Sequence, residues 1–575
     1  MTQSNENIRY EPDDRSPHPV SAGLGFQITA ITLAPVAITV AIIARAADQS
    51  DTYITWAVFA AVVVSGTATI LQAVRVGRIG AGHVLIMGTS GAFIGVCITA
   101  LVEGGPATLA SLVVVSSLFQ FLLSARLSQL RRIVTPVVAG TVLMLISATV
   151  MPILFGMLSD TPENTATAGA PLTAAVTLIV VIVASLRAPR SMRLWAPLIG
   201  VVVGCGVSAV FGMYDFQSVL DAPWIGIPDV GGWPGFNLPT EAFWALLPAF
   251  VVVTLVGAIE TIGDGVAIQR VSRRRPRAAD FRLVQGALNA DGVGNLLSGI
   301  TGTVPNTTYS SSISVVAITG IAARRVGIYT GLFFILLVFS PKVVAAILAI
   351  PNVVAAAYTM VLIALIFVEG FRIVARDGID ARKAVVVGMS FWVGVGFENK
   401  VIFSDLLGGP LGTLLGNGMT AGTICAILLT LFLEFTSSRR RSVTVSLELS
   451  SLSKIDEFLR EFASGISWNE SSTDRLRSAG EETLSILLQN DADGAAAGRR
   501  LRVSARLNED VVEMEFLAAS DDENLEDRLA LLSDQPETPD EREFSFRLLR
   551  HYASSVHHRQ YHNLDVVTVQ VEGSR

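Results

Sequence analysis

Long apolar runs joined by short polar stretches constrain this chain more than any other feature. FQITAITLAPVAITVAII from Phe26 and WAVFAAVVVSGTATILQAV from Trp56 each reach the ~20 residues that cross a bilayer as a helix. In lipid the backbone N–H and C=O groups must be satisfied within the segment, so these runs are expected to be helical. The chain is only 16% charged, well below the roughly one quarter of a soluble domain. A soluble fold with so many consecutive buried spans is excluded on that ground.

The span length predicts about fourteen segments. They start near Leu24, Ile54, Val84, Ala107, Ile133, Leu172, Trp195, Phe243, Val284, Tyr309, Ile328, Val353, Lys383 and Leu411. Basic residues should fill alternate, cytoplasmic joints. One set of joints holds Arg75, Arg78, Arg187, Arg193, Arg273, Arg274, Arg275, Arg277, Arg324, Arg325, Arg372 and Arg382. The other set holds Asp215, Asp221, Asp229 and Glu241, with only Arg45, Lys342 and Lys400 as cations. This alternation puts both termini in the cytoplasm and the protein in the cell (inner or plasma) membrane, in contact with lipid. Residues 1–22 are polar and are expected to be a disordered cytoplasmic lead-in. Residues 23–436 form the transmembrane part, 437–442 a basic linker, and 443–572 a small α+β cytoplasmic domain. Cys97, Cys205 and Cys425 are scattered in apolar segments and read as small buried residues.

Two segments are interrupted. The third carries Gly88, Thr89, Ser90 and Gly91; the tenth carries Pro305 and a run of hydroxyls from Thr307 to Ser314. They lie seven segments apart. Broken spans at matching positions in two halves point to inverted repeats with a substrate site near the midplane. Broken helices also expose N-terminal N–H groups to acceptor atoms on a ligand. The hydroxyl-rich stretch suits a flat polar heterocycle better than a lipid or a bare cation.

Glu260 lies well inside the eighth apolar segment, with Asp264 four residues later. Positions i and i+4 share a helix face. Unpaired carboxylates are costly in lipid, so the pair is expected to face a cavity. A carboxyl group withdrawn from water tends toward its neutral form, which suits a proton carrier. Asp291 lies in GALNADGVGNLL, where it could bind or relay a proton or simply anchor the loop.

These residues resemble the nucleobase–cation symporter 2 (nucleobase–ascorbate transporter) family over roughly residues 23–435. The resemblance rests on Glu260-Thr-Ile-Gly-Asp264, Ala290-Asp-Gly-x-Gly-Asn295, the run Thr303 to Ser310, and Ala317 to Arg324. Weaker pieces are Gly25-Phe-Gln27, Gly88 to Ile94 and Pro136 to Ile146. It implies an all-α polytopic membrane protein of two inverted repeats of seven. Segments 1–4 and 8–11 would form a core, and 5–7 and 12–14 a gate. It also implies a homodimer and a ligand held between the broken segments. Candidate substrate contacts are then Glu260, Ser90, Gly91, Ala92, Phe93, Thr308, Ser311 and Ser312; candidate proton or cation carriers are Glu260, Asp264 and Asp291. Where the family has Glu or Gln and then Asn, this chain has Ser311 and Ser312.

The expected activity is symport of a purine-type nucleobase (xanthine-, urate- or uracil-like) with H+ or Na+. One alternative is an anion carrier of the sulfate/bicarbonate type; another is a sensor that signals through its tail to a regulatory partner. No complete catalytic constellation, cofactor signature or nucleic-acid signature appears, so an enzyme is not expected. The tail pattern predicts strands at Ser442–Leu449, Leu501–Leu507, Val511–Leu517 and Asp565–Val571. Helices are expected at Leu452–Ala463, Thr473–Leu488 and Glu543–Ser554. It resembles the ATPase domains of anti-sigma-factor kinases in degenerate form: Glu482 fits the family's Glu, but Ile486 stands where a Mg²⁺-holding Asn belongs. His551, His557, His558 and His562 could suggest a metal site, but no Cys and no matching scaffold accompany them, so none is expected.

Overall fold

A computed structural model describes residues 7–126, 135–159, 161–162, 166–193, 195–237, 239–275, 277–376, 380–399, 418–436, 440–489, 500–508, 511–518, 541–562 and 564–574. The expected segment starts at Ile133 and Leu411, and Lys400, fall outside them. The chain divides into a membrane unit of residues 7–272 and 283–432 and a second unit that holds residues 433–575 together with 273–282.

The membrane unit is helical. Its helices are α1 (His18–Ala46), α2 (Asp51–Val74), α3 (Ile94–Ala125), α4 (Pro136–Met157), α5 (Gly169–Arg187), α6 (Ala196–Val210), α7 (Glu241–Val271) and α8 (Phe281–Thr301). Then follow α9 (Ser311–Thr319), α10 (Arg324–Val338), α11 (Pro341–Leu348), α12 (Asn352–Arg376), α13 (Ala381–Glu398) and α14 (Gly418–Thr436). Among the described residues seven helices are long and apolar enough to cross a membrane, or eight if α10 and α11, bent by 85° at their junction, count as one span. Helix starts follow the local chemistry: Ser50 accepts from the Tyr53 N–H, Thr240 from Phe243 and Asp380 from Lys383, the usual use of short polar side chains at N-caps. Gly105 (φ 75°) and Pro106 interrupt α3, close to the expected boundary between the third and fourth segments.

Small residues let the helices approach. A Cβ on Gly140 of α4 would sit 2.4 Å from the Gly370 carbonyl of α12, and one on Gly370 would sit 2.6 Å from the Gly140 carbonyl. These are the expected fifth and twelfth segments, and they cross backbone to backbone as small-residue membrane interfaces do. The two described exceptions to the charge alternation have their charges used locally. Arg45 donates to the carbonyls of Leu348 and Ile350 and to Asn352 Oδ1, and Lys342 donates to the Leu220 carbonyl beneath the Trp224 ring.

One expectation needs correction. Residues 7–22 are not a disordered lead-in: Asn7–Ser16 is an ordered strap bonded to the linker after α9, and α1 begins at His18. The polar composition concealed this because the bonds are backbone to backbone and only Ile8 (3% exposed) supplies a large buried apolar side chain.

The tail is an α+β unit. It runs β3 (Arg441–Ser446), α15 (Leu452–Gly465), α16 (Glu470–Gln489), β4 (Arg500–Asn508), β5 (Val511–Ala518), α17 (Glu541–Tyr552), β6 (Ser555–Gln560) and β7 (Asp565–Glu572). The five strands that follow the membrane unit make an antiparallel sheet in the order β3-β4-β5-β7-β6. Its core includes Leu459, Phe462, Leu476, Ile486, Val503, Phe516 and Val569. Ile486 is fully buried and belongs to this core. The edge strand β6 was not expected from the sequence. In it His557 and His558 are successive residues and point to opposite faces of the sheet.

Candidate functional site

The two interrupted segments meet. Residues Met87–Thr89 (β1) and Asn306–Thr308 (β2) pair antiparallel, with Met87 opposite Thr308, Gly88 opposite Thr307 and Thr89 opposite Asn306. The paired extended stretches satisfy backbone groups that would otherwise be unbonded at membrane depth. Each stretch then turns into a helix. Gly91–Phe93 forms a 3₁₀ turn leading into α3, and Ser311 opens α9. Neither Ser90, Phe93 nor Ser310 caps its helix with a side-chain hydrogen bond. The Phe93, Ser312 and Ile313 N–H groups bond to the carbonyls of Ser90, Tyr309 and Ser310, whereas those of Gly91 and Ser311 have no partner among the described residues and remain available to an acceptor.

The crossing is held by side chains. The Tyr309 hydroxyl donates to the Thr89 carbonyl (3.0 Å), and the ring lies so close to Gly88 that a Cβ there would fall 2.3 Å from it. The buried Ser312 hydroxyl accepts from the Ile86 N–H (2.9 Å) and donates to the Tyr309 carbonyl (2.6 Å). Ser312 thus fastens the tenth segment to the third.

The three membrane carboxylates differ in what they touch. Asp264 on α7 is 5% exposed and accepts from Thr308 Oγ1 and Ser310 Oγ, both at 2.7 Å. Asp291 on α8 is fully buried and accepts from Gln120 Nε2 (2.6 Å), Thr261 Oγ1 (2.7 Å) and Asn295 Nδ2 (3.3 Å). Asn295 in turn donates to Gln120 Oε1 (2.9 Å) and accepts the Asn306 N–H (2.6 Å), so this network reaches the start of β2. Glu260 is half-buried and makes no hydrogen bond to a described residue. It lies within electrostatic reach of Asp264, Asp291, Glu369 and Tyr309.

Buried hydroxyls without partners among the described residues mark the same region: Ser90 Oγ, Thr307 Oγ1, Ser311 Oγ and Tyr358 Oη. An unsatisfied buried polar group is costly unless a ligand or water completes it. Phe93, buried, packs against Phe250 (6.3 Å between centroids) and faces Gly257, one turn before Glu260. Gly91 faces Ile366 of α12, and Ala92 is buried in the 3₁₀ turn. Thr308 is committed to Asp264, whereas Ser90 and Ser311 keep free hydroxyls. Sequence reasoning missed Gln120, Thr261 and Tyr358. The available signal was a lone polar side chain inside an apolar span, as in SSLFQFLL and AAAYTMVL.

Broken helices crossing in extended form beside intramembrane carboxylates define a polytopic membrane transporter. The permease family model, of the xanthine and uracil type, matches residues 21–400, and the chain belongs to that family. It is not an enzyme but a multi-pass membrane permease. It is 29% identical over 432 residues to a putative purine permease of Clostridium perfringens, covering 74% of this chain and 93% of the relative. It is 29% identical over 453 residues to the xanthine permease XanP of Escherichia coli, covering 75% and 95%. The nucleobase transporter PlUacP of Paenibacillus larvae is 26% identical over 424 residues, covering 73% and 95%.

Proposed function

We propose that this chain imports a purine-type nucleobase together with H+ or Na+, by movement of a core (segments 1–4 and 8–11) against a gate (segments 5–7 and 12–14). The observation that carries this reading is the company Glu260 keeps. It is the one of the three carboxylates without a hydrogen bond among the described residues, on the helix that packs against both half-helix starts. A purine base is flat and carries ring N–H donors beside carbonyl acceptors. An N–H would donate to Glu260, a carbonyl would accept from the free N–H groups at Ser311 or Gly91, and Phe93 would supply an apolar wall. Asp264, tied to Thr308 and Ser310, links any change in its protonation to the shape of the tenth segment.

The same electrostatics disfavour an anion as cargo. Were both carboxyls ionised, one helical turn apart at about 6 Å, they would repel by roughly 3 kcal/mol at an effective dielectric of about 20, and an added anion would raise that cost. The xanthine and purine permeases among the relatives support the nucleobase class. A homodimer, with both termini cytoplasmic, follows from the family resemblance and the charge alternation. The tail is read as a regulatory or dimerising module: in the resemblance drawn from the sequence, Ile486 stands where a metal-holding Asn would, and it is buried.

The test is uptake of radiolabelled xanthine by cells lacking their own purine permeases and expressing this chain. Uptake displaced by unlabelled xanthine or urate and indifferent to sulfate is expected. No xanthine uptake above background, with radiolabelled sulfate taken up instead, would replace this reading with the anion carrier.

A further inference from the structure

The strap Asn7–Ser16 is bonded to the end of the half-helix that Ser311 begins. Arg9 and Tyr10 both donate their N–H groups to the Gly320 carbonyl (2.7 and 3.2 Å). The Tyr10 carbonyl accepts from Ala322 (2.8 Å), and the Pro12 carbonyl accepts from Arg324 (3.1 Å). Tyr10 and Ile321 form a parallel bridge. Gly320 ends α9 in the left-handed region (φ 70°), which favours glycine. A Cβ there would also lie 2.0 Å from the Asn7 carbonyl, so strap and linker are closely fitted.

Arg324 extends the fastening to the other broken segment. Its guanidinium pairs with Asp13 of the strap (2.6 Å), and its Nε donates to the Gly82 carbonyl (2.7 Å), a few residues before β1. Arg325 donates to the Ser16 carbonyl (2.9 Å). The strap, the linker after α9 and the linker before β1 are thus joined through one side chain. Helix α9 has only nine residues, too few to hold its own shape in isolation. Its orientation therefore depends on what grips its two ends: the β1–β2 crossing at Ser311, and the strap at Gly320.

We propose that the strap Asn7–Ser16 is a positioning element of the substrate site: by gripping Gly320 and, through Arg324, Gly82, it sets the half-helix that presents Ser311 without touching substrate. This rests on the nucleobase reading for its transport readout only. Two variants test it: deletion of residues 2–12, and Arg9→Pro/Tyr10→Pro, which removes both donors to Gly320 while keeping the chain length. The first measurement is xanthine uptake. KM should rise at least about fivefold with Vmax within about twofold, the scale of one net hydrogen bond. The second, free of any substrate, is hydrogen exchange of residues 311–319 in the purified full chain, which should quicken by about tenfold or more through easier local opening.

An unchanged KM, a fall in Vmax alone, or unchanged exchange in α9 overturns the proposal. If the deleted chain fails to reach the membrane, the double-proline chain decides by the same two readouts. Should the unaltered chain take up no nucleobase, the functional reading falls, while the exchange measurement still decides the strap.

Discussion

Asn295 of α8 sits where three polar groups converge, and its removal has a calculable cost. Asn295→Ala deletes the acceptor of the Asn306 N–H (2.6 Å), the donor to Gln120 Oε1 (2.9 Å) and a longer donation to Asp291 (3.3 Å). Asn306 and Gln120 are each 1% exposed, so water does not readily replace the lost partner. A buried polar group left unsatisfied costs about 1–3 kcal/mol. Two such groups, with some relaxation between them, place the total near 3 kcal/mol. The same substitution two turns earlier is the control. Asn289 donates once, to the Arg78 carbonyl at an exposed site, and Asn289→Ala should cost under about 1 kcal/mol. Thermal melting of the two purified variants makes the comparison. Asn295→Ala should melt several degrees below Asn289→Ala, and xanthine uptake should fall with it because Asn306 begins β2. Equal melting points would refute the idea that this network holds the crossing.

Other outcomes follow from single contacts. Gly88→Ala places a methyl 2.3 Å from the Tyr309 ring; overpacking of this kind costs about 1–3 kcal/mol, and xanthine uptake should drop at least tenfold at unchanged membrane abundance. Tyr358→Phe removes a buried hydroxyl that has no partner among the described residues; melting should hold or rise, while KM for xanthine rises if the hydroxyl meets the base. In the tail, partial burial raises the Glu482 carboxyl above its usual value, partly offset by a hydrogen bond from Ser545. A raised folded-state pKa means stability present at low pH and lost as pH rises through it. Glu482→Gln should therefore stabilise the tail at neutral pH and have little effect near pH 4, as read by hydrogen exchange of β5 and β7.

Much of the architecture was legible because lipid permits so few backbone solutions. The apolar runs marked the helices, and Gly88–Gly91 and Pro305 marked the two breaks. Period-two and period-three-to-four patterns placed most tail elements to within a few residues. What escaped had weak local signals. The strap is held by backbone bonds to residues more than 300 positions away, which composition cannot report. Strand β6 reads SVHHRQ, without the apolar alternation of a half-buried strand, because it lies at the sheet edge. Among the site residues, the position of Glu260 inside a span singled it out. The division of labour did not show: Ser312 and Thr308 look like Ser311 in sequence, yet their hydroxyls are spent on Ile86, Tyr309 and Asp264. Asp291, which could have been carrier or anchor, is enclosed by three donors.

The most direct measurement is equilibrium binding of radiolabelled xanthine to the purified protein and to its Glu260→Gln variant. The amide keeps the size of the side chain and removes its charge. Saturable binding by the parent chain should weaken by about tenfold or more in the variant, the worth of one charge-assisted hydrogen bond, with melting of the empty protein little changed. Equal affinity in the two proteins would mean that the base is held elsewhere and that Glu260 is not its partner.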